Sequence, residues 1–244
     1  DEAPDVGLSW DDSDPDDDAI HVAAFLGDTN GSGSYNSPDA TLIRRIIGQV
    51  NTGLSAYQLA DPVLIADISL NNLIQSNDTT NVRRAIGQID VPNIPALPNG
   101  LNPPPAGGPD PLVFIPQNLR GVPGGTITVP VRMRVSEPSG TTLGGMDVVI
   151  EFDATRLTLR DARLGALFAG TDLSGTINQL AAGKLIYTAD SLRGTPWYAL
   201  DTTGDLMTLT FAIAPDASPG NVAINLLSTL GSTRTALFDN ELGE

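Results

Sequence analysis

Two stretches of twelve residues carry the side chains best suited to chemistry. Asp28–Asp39 reads DTNGSGSYNSPD and Asp67–Asp78 reads DISLNNLIQSND. Each places an oxygen-bearing side chain at its first, third, fifth and twelfth positions: Asp28, Asn30, Ser32 and Asp39, then Asp67, Ser69, Asn71 and Asp78. Alternate residues of a tightly turning chain aim their oxygens at one centre, and a hard cation such as calcium takes roughly six to eight oxygens on such a loop. The seventh residue supplies its backbone carbonyl, so Ser34 and Leu73 both serve. The sixth must turn at positive φ, which glycine does freely and asparagine tolerates; these are Gly33 and Asn72. Two calcium ions are expected, the second held more weakly. Affinity tracks ligand charge, and two carboxylates per loop suit extracellular calcium better than cytosolic signalling.

The elements that must position these oxygens come directly after them. DATLIRRIIGQV begins at Asp39 and DTTNVRRAIGQI at Asp78, and residues 28–50 match residues 67–89 at nine of 23 positions. The spacing predicts an amphipathic helix in each copy. Leu42, Ile43, Ile46 and Ile47 form one apolar face, and Val82, Ala85, Ile86 and Ile89 form a weaker one. The pairs Arg44–Arg45 and Arg83–Arg84 fall largely off that face. Ser37 and Ser76 are natural N-caps, and Pro38 suits the first helical position. Asp39 and Asp78 then sit in the first turn, beside the positive end of the helix dipole. Duplication of one loop–helix unit explains the repeat.

Four regions are expected. Residues 1–19 hold nine of the 29 acids and no base, too charged and too poor in apolar residues to pack, so they read as a disordered lead-in. Residues 20–90 hold the two loop–helix units. Asp90–Pro111 has eight prolines in 22 residues, which excludes interior helix or strand and reads as a stiff linker over 91–111. Residues 112–244 change to period-two patterning punctuated by Gly, Pro, Asp and Ser. Thr126–Val135, Gly145–Phe152, Arg156–Leu164, Lys184–Ala189, Leu206–Ile213 and Asn221–Leu227 read as strands, with a helical turn in LGALFAG. A run of short strands without helices between them argues an all-β sandwich or jelly roll.

The composition narrows function mainly by exclusion. With no cysteine there is no disulfide, thiol nucleophile or thiolate metal site. The formal net charge is −16 and no basic stripe faces phosphates, so nucleic acid is a poor partner. No apolar run is long enough to span a membrane. The single histidine, His21, stands between apolar neighbours with no catalytic partner set. Glu151 with Asp153, and Asp201 with Asp205, have the spacing of surface decoration rather than of a glycosidase pair. Trp197 and Tyr198 support a second reading, in which the β region stacks on sugar rings and the calcium-bearing region is an accessory.

The segments GDTNGSGSYNSPDATLIRRII and ADISLNNLIQSNDTTNVRRAI together resemble a dockerin, a small all-α, EF-hand-like module built from a duplicated calcium loop and helix. That family usually has Asp or Asn where Ser32 and Ser69 stand and Gly where Asn72 stands. The segments GGTITVPVRM, GGMDVVIEFDATRLTL and GDLMTLTFAI resemble the strands of a cohesin, the β-sandwich that dockerins bind. The pairing implies a non-catalytic, calcium-dependent, extracellular or cell-surface assembly protein. Its partner would be a cohesin or dockerin module of the same chain or another. Dockerins touch cohesins through the loop-to-helix junction and basic helix positions. Here those are Ser37, Pro38, Arg44 and Arg45 in the first copy, and Ser76, Asn77, Arg83 and Arg84 in the second.

Overall fold

A computed structural model describes residues 23–98, 101, 111–135, 143–181, 183–195 and 201–239. The acidic lead-in, His21, Trp197 and Tyr198 lie outside the described residues.

The alternating second half folds into two facing antiparallel sheets. One has the order β1 (Leu112–Phe114), β2 (Thr126–Arg134), β7 (Thr203–Ile213), β4 (Leu157–Leu164). In the other, β5 (Ser174–Ala181) pairs with β6 (Lys184–Asp190), which pairs with β3 (Leu143–Phe152). The far edge of β3 is shared, with β11 (Ala236–Asp239) along its first half and β8 (Ile224–Leu227) along its second. Between those two strands the chain leaves the sheet as a small hairpin, β9 (Thr229–Leu230) and β10 (Thr233–Arg234). The inward side chains, including Val129, Val131, Met146, Val148, Ile150, Leu185, Tyr187, Leu209 and Phe211, form one core between the sheets. The six strands expected from alternation are present with ends shifted by a few residues, and LGALFAG holds a 3₁₀ turn at Ala166–Phe168.

The two sheets differ on their outer faces. β2 alternates between buried and exposed positions, as a half-solvated strand should. β3 is buried along nearly its whole length and β6 after its first residue. Something therefore covers the outer side of β3 and β6, and the first half of the chain does so.

That first half is helical. α1 (Ser37–Ile47), a single-turn α2 (Val63–Ala66) and α3 (Ser76–Ile86) pack around two clusters. One is Ala40, Ile43, Ala66, Ile68, Val82, Ile86 and Val91; the other is Leu42, Leu54, Tyr57 and Ile65. The expected helices are thus present, with three corrections. The N-caps are Asn36 and Gln75, one residue earlier than the serines, and Pro38 is consequently the second helical residue. Ile47 and Ile89 are exposed at the helix ends rather than packed with the apolar face. The core is completed by the connection between the helices, through Leu54, Tyr57 and Ile65, whose short elements carry no periodicity to read.

Candidate ion loops and docking interface

The two loops follow one backbone path. Positive φ occurs at the fourth and sixth positions of both: Gly31 (69°) and Gly33 (70°), then Leu70 (57°) and Asn72 (64°). Glycine adopts this region freely, whereas leucine does so at a cost, so the second loop is the more strained. The twelfth residues play matching parts. Asp39 accepts the amides of Asn30 and Asn36 at 3.1 and 2.9 Å; Asp78 accepts those of Ser69 and Gln75, both at 2.8 Å. The first residues also match. Asp28 accepts the amides of Ser32 and Gly33, and Asp67 those of Asn71 and Asn72.

In the first loop the donor set converges. Ser32 Oγ lies 3.0 Å from the Ser34 carbonyl and 3.1 Å from its hydroxyl, and Asn30 Nδ2 lies 3.2 Å from Asn36 Oδ1. Asn36, ninth in the loop, adds a buried amide that donates to both serine hydroxyls. Sequence reasoning missed it, although its place one turn ahead of Asp39 was the available signal. Asp28 and Asp39 are both buried, and no base pairs with either among the described residues. Burial, and then the charge of Asp28, push the Asp39 carboxyl well above its ordinary range; burial also raises Asp28. Two buried carboxylates ringed by neutral oxygens and lacking a cation fit a hard divalent ion. No cluster of three or more His, Cys, Asp or Glu exists among the described residues, so any ion would rely on two acids per loop. The second loop fits less well: Asn71 and Leu73 are exposed, and Asn71 Oδ1 accepts the Leu73 amide.

The helices meet the outer face of β3 and β6 at two carboxylates. Asp147 projects outward from β3 and is 1% exposed. It accepts the Ser37 amide at 3.2 Å and the Ser37 hydroxyl at 2.8 Å, at the positive end of α1. Burial lifts its pKa to about 7 against those stabilising bonds. Asp190, at the end of β6, is fully buried and takes a guanidinium from each helix. Arg44 reaches Oδ2 and the Asp190 carbonyl (2.9 Å), while Arg83 Nε reaches Oδ1 (2.7 Å) and Arg83 Nη2 donates to Ser174 Oγ (2.8 Å). Arg45 Nε donates to the Leu192 carbonyl at 3.1 Å.

The far end of α3 is held by other parts of the sandwich. Asn178 of β5 donates to the Gly87 carbonyl, Thr233 Oγ1 of the hairpin to the Ile86 carbonyl (2.6 Å), and Gln88 to Leu230. Gly145 in β3 lies directly beneath Ser37: a Cβ there would come within 2.9 Å of the serine Cβ. Of the basic and junction residues singled out from sequence, Ser37, Arg44, Arg45 and Arg83 hydrogen-bond to the sandwich. Pro38 is buried beside Ser37. Ser76, Asn77 and Arg84 are exposed, and among the described residues none of them hydrogen-bonds to the sandwich. The acids Asp147 and Asp190 were not anticipated. Their signal was an acid sharing the outward side of its strand with a buried apolar residue, Val149 beside Asp147 in β3 and Ile186 near Asp190 in β6.

The fold and its occupied outer face define a β-sandwich interaction module. Its family model is the cohesin domain, matched over residues 113–239, and the chain belongs to that family. Cohesins are non-catalytic protein–protein interaction modules. Solved structures similar to the chain include the sixth cohesin of scaffoldin B from Acetivibrio cellulolyticus, in complex with a Cel5 dockerin mutant. It is 23% identical, with 54% of this chain and 88% of that one covered and a TM-score of 0.44. A cohesin–dockerin complex from Clostridium thermocellum is 22% identical, covering 53% and 87%, with a TM-score of 0.42. CaCohA2 from Clostridium acetobutylicum is 26% identical, covering 53% and 79%, with a TM-score of 0.40. No curated protein matches. Among the described residues no helix is long and apolar enough to cross a membrane.

Proposed function

We infer that this is a calcium-dependent assembly protein whose helical half is a dockerin-like module seated on the cohesin sheet of its own chain. One observation carries the reading: arginines from both repeats converge on the single buried carboxylate of Asp190, while Ser37 caps Asp147 on the same sheet face. Fully buried charges are tolerated only when paired and hydrogen-bonded, so such an arrangement marks a specific interface. Calcium in the loops fixes the junctions from which Ser37 and the helices project. The all-oxygen donor sets support two ions, the first bound more tightly, at the calcium levels found outside cells.

The same contacts made between chains give a head-to-tail array, because a heterologous interface does not close on itself. The run 91–111 favours the closed form by raising the local concentration of one module near the other. Residues identical in the two repeats include Ser37/Ser76, Arg44/Arg83, Arg45/Arg84 and Gln49/Gln88, so a half-turn of the helical module re-presents similar groups. Light scattering coupled to size exclusion, over a concentration series with calcium or chelator, tests the reading. A compact monomer that expands in chelator means cis docking, and mass rising with concentration means an array. A monomer of constant dimensions whose separately expressed halves release no heat on mixing with calcium would refute both.

A further inference from the structure

The proline-rich run does more than join two modules. Val91 is buried in the helical core, and Ile94 packs against the same cluster. From that root, three contacts reach the oxygen-bearing loops and a fourth reaches the residue just ahead of the first. Asn93 Nδ2 donates to the carbonyl of Ile68, the second residue of the second loop, at 2.9 Å. Tyr35, eighth in the first loop, donates its hydroxyl to the Pro95 carbonyl at 2.8 Å, with Leu26 at 3.3 Å. Ile94 lies over Gly27, just ahead of the first loop, its Cδ1 3.5 Å from where a Cβ on that glycine would stand. Leu101 lies over Gly33, its Cβ 3.0 Å from the equivalent point.

Gly33 and Tyr35 flank Ser34, whose carbonyl is the seventh-position donor. An ion leaves such a loop only when the loop opens, and opening it moves these two residues. The Tyr35–Pro95 bond then breaks and Leu101 lifts from Gly33. Among the described residues the second loop takes one hydrogen bond from this run, beside Asp67, and its seventh residue, Leu73, is exposed. We propose that residues 91–98, together with Leu101, form a strap that holds the donors of the first loop in place and slows calcium departure from it more than from the second. Tyr35, Leu101 and Asn93 are its positioning residues. The inference rests on the calcium reading above and adds a rate to it.

The test uses the full chain loaded with calcium and mixed rapidly with excess chelator. A hydrogen bond contributes about 1 kcal/mol net, or roughly a five-fold change in rate. Tyr35→Phe should speed the slower release phase about five-fold, Leu101→Ala, which removes the Cγ and Cδ1 contacts over Gly33, should speed the same phase, and both should leave the faster phase unchanged. Asn93→Ala should speed only the faster one. Tyr35→Phe keeps the ring, so the melting temperature of the sandwich should not move.

Amide exchange of the calcium-free chain is a second, independent arm. The Ser32 and Gly33 amides, which donate to Asp28, should exchange about five-fold faster in Tyr35→Phe while those in mid-α1 keep their rates. Release phases and exchange both equal to wild type in Tyr35→Phe and Leu101→Ala would overturn the strap. If the wild-type chain binds no calcium, the ion reading fails, and exchange alone decides whether these residues hold the loop.

Discussion

Asp28–Val50 and Asp67–Ile89 trace the same backbone, down to left-handed residues just beyond each helix, Gln49 at 55° and Gln88 at 58°. Their surroundings differ. The first repeat presents its junction to the sheet, where Ser37 is buried against Asp147; the second leaves Ser76 and Asn77 exposed and uses the opposite end of its helix. Outside the loops, identity between the copies falls largely on groups that face the sandwich in one copy or the other. Positions facing the helical core diverge, as in Ala40 and Thr79 or Ile43 and Val82. The two copies offer equivalent rims, and the closed arrangement engages the first at both ends, through Ser37 and through Arg44 and Arg45, and the second through the end of its helix that carries Arg83.

That asymmetry can be broken at several points. The largest effect is expected at Asp190, which both repeats share. Asp190→Ala leaves two part-buried guanidiniums without their carboxylate and should cost docking about 3–5 kcal/mol, the usual result of removing one partner of a buried pair. Scattering should then show an expanded monomer even in calcium.

Next come the ion loops. Asp28→Ala should abolish more of the calcium-induced rise in helicity and melting temperature than Asp67→Ala, measured by circular dichroism with calcium and with chelator. Unchanged spectra in the wild-type protein would remove calcium from the account.

The junction serines sharpen the contrast between the copies. Ser37→Ala removes a hydrogen bond to a buried carboxylate and should weaken docking by about 1.5–3 kcal/mol, while Ser76→Ala should fall within about 0.5 kcal/mol of wild type. Equal effects would mean that both orientations are populated.

Protonation of Asp147 gives a smaller, graded signal. Docking raises its pKa to about 7, whereas an exposed aspartate titrates near about 4. Between those values the docked form binds more protons than the open one. Closure is therefore weakened as pH rises through 7 and strengthened as it falls. At saturating calcium, docking measured at pH 8, 7 and 6 should strengthen stepwise, and Asp147→Asn should flatten the trend. The smallest effect is expected at exposed Arg84, where alanine should leave docking unchanged within error.

Much of this architecture is legible in the residues. Strands such as β2 and β7 announce themselves because one face is packed and the other is open. β5 does not, since SGTINQLA lies at a sheet edge and is polar almost throughout; β1 is three residues long and follows a proline. The matching backbone of the two loops is visible by spacing, because the twelve-residue oxygen pattern is local in sequence. Asp147 and Asp190 are not, because their role depends on elements more than a hundred residues away. Ser37 and Ser76 have the composition of caps, yet the backbone enters each helix one residue earlier, and Ser37 is thereby free to turn its hydroxyl to the sheet. Proline content concealed the contacts of residues 91–95, whose anchoring comes from Val91, Ile94 and a few side-chain bonds rather than from any repeating pattern.

Gly145 gives the closed arrangement an unusually simple handle. The space above its Cα is filled by the serine at the tip of α1, and the nearest other obstacle is the Ala189 carbonyl at 3.2 Å. A single methyl group at that position acts as a wedge: it alters no charge, no oxygen donor and no core residue, yet it stands where the two halves come together. An alanine at position 145 would thus hold the molecule ajar with its sheet still intact, and the vacated face could be offered to a helical module from a neighbouring chain.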